Sequence, residues 1–82
     1  MIFTRTTQKI TTLTTMYHGH KFFVDITENE KGRESWIYTD KVGIKELMFE
    51  SLKVNNETYE EYLELVESNF AEYADGYEKE YC

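Results

Sequence analysis

Eighty-two residues with a formal net charge of −7 allow one small domain with a single modest core. With 40% of the chain hydrophobic and 16% aromatic, it is too apolar for a disordered acidic tail. The acidity speaks against gripping nucleic acid through its phosphates. A single cysteine, Cys82, excludes an internal disulfide, and no stretch approaches the ~18 apolar residues of a membrane span. The threonine-rich start does not read as a secretory signal, so a reducing cytoplasm is the expected setting.

The first forty residues read as strands. Met1 to Thr7 reads as an edge strand or an extended arm, and Lys9 to Tyr17 is rich in β-branched residues that suit a pleated surface. His18-Gly19-His20 marks a tight turn. In Lys21 to Thr27, Phe22, Val24 and Ile26 alternate with Phe23, Asp25 and Thr27 and form one apolar face. Glu28 to Glu34 is a polar hairpin loop around Gly32, and Ser35 to Thr39 is a short strand with Trp36 and Tyr38 on one side and Ile37 on the other.

The period then changes. Asp40 is a suitable N-cap, and Ile44, Leu47, Met48 and Leu52 recur at helical spacing, which predicts a helix over 41–54. Asn55-Asn56 marks a break. Thr58-Tyr59-Glu60-Glu61 fits a capping box. It precedes an apolar stripe of Tyr59, Tyr62, Leu63, Val66, Phe70, Tyr73, Ala74 and Tyr77. Gly76 reads as a C-terminal cap, giving an acidic helix over 57–76 and a tail over 77–82. The expected architecture is α+β: a three- or four-stranded antiparallel sheet followed by two C-terminal helices packed on one face. The expected core is Phe22, Val24, Ile26, Ile37, Leu47, Met48, Leu63, Val66 and Phe70.

Charge is unevenly divided. Residues 1–56 hold eight Lys/Arg against seven Asp/Glu, whereas residues 57–82 hold nine acids against one base, Lys79. Glu60, Glu64 and Glu67 stack on one side of the last helix, about 4.5–6 Å apart along its axis. That interval is of the order of the spacing between phosphates on a nucleic-acid strand, so the row can imitate a phosphate backbone. A solvated face is the competing reading. Like charges at i,i+4, as in Glu57–Glu61 and Glu60–Glu64, each cost about 0.2–0.5 kcal/mol, and no base lies between 54 and 78 to offset them. Asp75, Tyr77, Glu78 and Tyr81 extend the candidate contact surface, with the two tail tyrosines adding apolar area. Tyr59, Tyr62 and Tyr73 are better explained as packing.

His18-x-His20 has a metal-like spacing, but a polar turn is the preferred reading and no metal or cofactor is expected. Lys31, Arg33, Lys41 and Lys45 interleave with acids and read as a solvated hairpin. No nucleophile elbow, phosphate loop or Cys–His pair is present, and the chain reads as a non-enzyme.

The order FFVDIT, polar hairpin, SWIYT, IKELMFESL and TYEEYLELVESNF resembles that of small acidic anti-CRISPR proteins of phages. The resemblance covers roughly residues 20–75 and is one of element order and charge. It implies an inhibitor that mimics DNA and occupies a basic groove of a nucleic-acid-handling protein such as a CRISPR effector, in a bacterial cytoplasm. A small self-associating domain, a homodimer through the Tyr-rich face or an edge strand, is the alternative.

Overall fold

The computed structural model describes residues 2–6, 10–30, 32–52 and 57–82. Among these residues, five strands are followed by one helix: β1 (Thr4–Thr6), β2 (Ile10–Tyr17), β3 (His20–Glu28), β4 (Gly32–Thr39), β5 (Glu46–Leu52) and α1 (Tyr59–Tyr81). The strands form an antiparallel meander in chain order, β1-β2-β3-β4-β5. The α+β class is as expected, but among the described residues the sheet has five strands rather than three or four, and one helix follows it rather than two. Met1, Thr7, Lys9 and Lys31, the end of the expected helix at 53–54, and Asn55-Asn56 lie outside the described residues.

Alternation works as read from the sequence in β3, where Phe22, Val24 and Ile26 are fully buried and the residues between them are half-buried. β2 and β3 join through a two-residue turn in which His18 (φ 50°) and Gly19 (φ 78°) both have positive φ. That is the requirement of the tight hairpin turn whose twist matches its strands.

The expected helix over 41–54 is a turn and a strand instead. The expected N-cap, Asp40, is an exposed turn residue, and the preceding Thr39 caps a single turn instead. The Gly43 N–H donates to the Thr39 carbonyl (3.0 Å), the Val42 N–H donates to Thr39 Oγ1 (3.2 Å), and Gly43 at φ 75° takes the left-handed conformation that ends a helix. The helix-spaced set forms no single buried face: Met48 is buried, whereas Ile44, Leu47 and Leu52 are exposed, and β5 carries a bulge. Ser35 pairs with Phe49 and Trp36 with Leu47, so Met48 is the extra residue. Buried Met48 and Ser51 are therefore three apart rather than two. Leu47, expected in the core, is 39% exposed. Ser35 Oγ accepts from the Phe49 N–H (3.2 Å) and helps to satisfy the ladder where the bulge disturbs it. Gly32 permits the strands to approach at the far end, since a Cβ there would lie 1.9 Å from the Ser51 carbonyl oxygen.

The core lies between one face of the sheet and α1. Leu13, Phe22, Val24, Ile26, Ile37 and Met48 meet Tyr62, Leu63, Val66, Phe70, Ala74 and Tyr77. Phe70 is edge-on to Phe3, Tyr17 and Phe22 at 5.4, 5.7 and 5.5 Å. The Tyr62 hydroxyl lies 3.1 Å from both Ser35 Oγ and the Phe49 carbonyl oxygen, which ties the helix to the bulge. Among the described residues no helix is long and apolar enough to cross a membrane.

Candidate functional site

α1 carries the acidic surface, and local chemistry fixes both its start and its phase. Thr58 is the N-cap: its Oγ1 accepts from the Glu61 N–H (3.1 Å), and Glu61 Oε1 accepts from the Thr58 N–H (3.1 Å). This is the expected capping box. These bonds, that from the Thr58 backbone foremost, hold the Glu61 carboxyl below its usual range. The buried stripe then sets which residues face water. At 100° per residue, Glu60, Glu64, Glu67, Asp75 and Glu78 fall on one flank of the helix, over roughly 27 Å of its length. Glu60, Glu64 and Asp75 are exposed, Glu67 is half-buried, and the Glu78 side chain is 20% exposed.

The end of the helix differs from expectation. Gly76 does not cap it; the helix continues to Tyr81, and the Cys82 N–H donates to the Glu78 carbonyl (2.8 Å). The stripe therefore runs on, and Tyr77 is core rather than tail. It is 3% exposed, and its hydroxyl donates to the Ile44 carbonyl. Tyr81 is half-buried, its ring lies tilted against Tyr77 at 4.7 Å, and its hydroxyl donates to Glu46. That bond, with burial and the Glu46 charge, pushes the Tyr81 phenol up to about 12. Neither tyrosine is a free apolar contact. Tyr62 is buried, and Tyr59 and Tyr73 pack against the core from its edge, as the packing interpretation expects.

Two arrangements were missed in the sequence. Between β5 and the last turns of α1 an open cleft of about 310 Å³ is lined by Glu46, Glu72, Glu80, Tyr73 and Tyr77, with Gly76 at its wall. On the sheet face away from the helix, Asp25 accepts from Thr12 Oγ1 (2.9 Å), the Tyr38 hydroxyl (3.1 Å) and Lys45 Nζ (2.9 Å). Burial, the Asp25 charge and this hydrogen bond push the Tyr38 phenol up to about 12. Alternation in β3 placed Asp25 on that face, but its partners come from three other segments. Arg33 and Lys45, expected to be solvated, are paired with Glu28 (2.7 Å) and Asp25 (2.9 Å). Comparison with protein-family models, with curated proteins and with solved structures gives no match.

Proposed function

We propose that this chain is a non-enzymatic acidic binding protein that occupies a basic, nucleic-acid-binding groove and mimics phosphates there. The observation that carries this reading is the flank of α1: Glu60, Glu64 and Glu67 stand in one row on a helix anchored by a continuous buried stripe. A row held on a rigid helix meets a cationic groove without first losing the freedom of a flexible tail. Exposed Asp75 extends it. Tyr77 and Tyr81 play no contact role in this reading. A CRISPR effector in a bacterial cytoplasm is the target proposed first.

The test is binding to a purified CRISPR effector by the native chain and by a variant with Glu60, Glu64 and Glu67 changed to Gln. Mimicry predicts affinity that falls steeply with added salt, competition by the effector's own DNA, and loss in the variant. Binding that is indifferent to salt and shared equally by both chains would overturn it. Sedimentation of the chain alone checks the self-association alternative, in which a stable dimer would cover this flank.

A further inference from the structure

The β2–β3 turn brings His18 against the last turns of α1. His18 Nδ1 lies 3.1 Å from Glu78 Oε2 and 3.9 Å from Asp75 Oδ1. One ligand atom from each of the three residues lies within 4.8 Å of the others. Asp75 and Glu78, three residues apart, project from the same side of the helix. The Tyr17 hydroxyl donates to Asp75 Oδ1 (2.7 Å), and its ring stacks on His18 at 3.9 Å.

A separate feature points to a ligand. Glu78 Oε1 is sealed from solvent, and among the described residues no donor reaches it. His18 serves only the other oxygen. A carboxylate oxygen that is neither hydrated nor hydrogen-bonded is expensive unless a positive charge faces it.

We propose that His18, Asp75 and Glu78 bind a divalent transition-metal ion of the zinc type. Zinc takes imidazole nitrogen and carboxylate oxygen at about 2.0–2.2 Å, which sets tetrahedral donors roughly 3.4 Å apart. The observed 3.1 and 3.9 Å straddle that separation. A cation bound through Glu78 Oε2 would place positive charge on the carboxylate whose other oxygen is sealed and unpartnered. Nδ1 must present its lone pair, leaving the proton on Nε2. His18 and Asp75 are 57% and 59% exposed, so water completes the coordination. Tyr17 orients the Asp75 carboxylate, as outer partners of metal ligands do. The imidazole selects against magnesium, which prefers oxygen donors in an octahedron. His20 is not part of the set; the pair suggested by the His-x-His spacing is replaced by one histidine and two residues of a distant helix.

The test is titration of the whole chain with Zn²⁺, and with Mg²⁺ as control, followed by calorimetry, thermal melting and the ring-nitrogen NMR shifts of both histidines. A Cys82→Ser background removes the exposed thiol. The expected result is one Zn²⁺ per chain, a raised melting temperature, and a shift at His18 but not at His20. Affinity falls at least tenfold in Glu78→Gln and in His18→Asn, and about tenfold in Tyr17→Phe. Asparagine tolerates the positive φ of residue 18, so His18→Asn removes the ligand while keeping the turn. Absence of saturable Zn²⁺ binding would overturn the proposal and leave a hydrogen-bonded contact between His18 and Glu78. So would equal affinity in His18→Asn.

Discussion

Phe22 and Phe23 are adjacent in the chain and live in different solvents. Phe22 is fully buried under α1, edge-on to Tyr17, Phe70 and Tyr77. Phe23 lies on the uncovered face, stacked on Tyr38 at 5.1 Å with Lys21 Nζ 5.6 Å from its ring centre. The covered face is a continuous apolar layer. The uncovered face instead places threonines, aromatic rings under lysines, and Asp25 with its three donors. One helix can shield only one side of the sheet, so the other stabilises its aromatics with partners that tolerate water.

Substitutions that match across the two faces probe this contrast. Phe22→Ala should cost about 3–5 kcal/mol in denaturant unfolding, whereas Phe23→Ala should cost roughly 1–2 kcal/mol, because less area leaves water and no enclosed cavity remains. Equal losses would mean that the uncovered face is packed as tightly as the covered one. Tyr62→Phe removes a hydroxyl from a buried network at the bulge and should cost about 1–3 kcal/mol; Tyr38→Phe, which frees an Asp25 oxygen near water, should cost under about 1 kcal/mol. Gly76→Ala should stabilise by about 0.5–1 kcal/mol, since the site is helical and a methyl group there meets nothing within 4 Å.

The smallest effect at neutral pH appears only in base. The folded-state phenols of Tyr38 and Tyr81 are raised from 10.0 to about 12. A raised value favours the protonated form in the folded chain, so this contribution is complete below pH 10 and is lost as pH rises toward 12. An alkaline melting series should show stability declining across that window, with a shallower decline in Tyr38→Phe.

Much of this arrangement was legible in the sequence. The period of two in β3, the turn at His18-Gly19 and the capping box at Thr58 are local features, and local chemistry decided them. The region 41–54 misled because Ile44, Leu47 and Leu52, which complete the helical period with Met48, are exposed apolar residues rather than one buried face, and because the turn that Thr39 caps stops at Gly43. Gly76 misled in the opposite direction: nothing in α1 ends there, since the stripe through Tyr77 and Tyr81 holds the helix to the sheet. The acidic row was readable from spacing alone. The meeting of His18 with Asp75 and Glu78 was not, because it depends on how α1 crosses the hairpin.

The meander also bears on folding kinetics. Each strand pairs with its neighbour in the chain, and the β2–β3 connection is only two residues long. Short closures cost little chain entropy, so the sheet can grow by successive hairpins, with β2–β3 the cheapest to begin. Only the docking of α1 back onto β2 and β3 closes a long stretch of chain. The acidic helix is therefore expected to find its place late, on a sheet already paired, and mutations in its stripe should speed unfolding more than they slow folding.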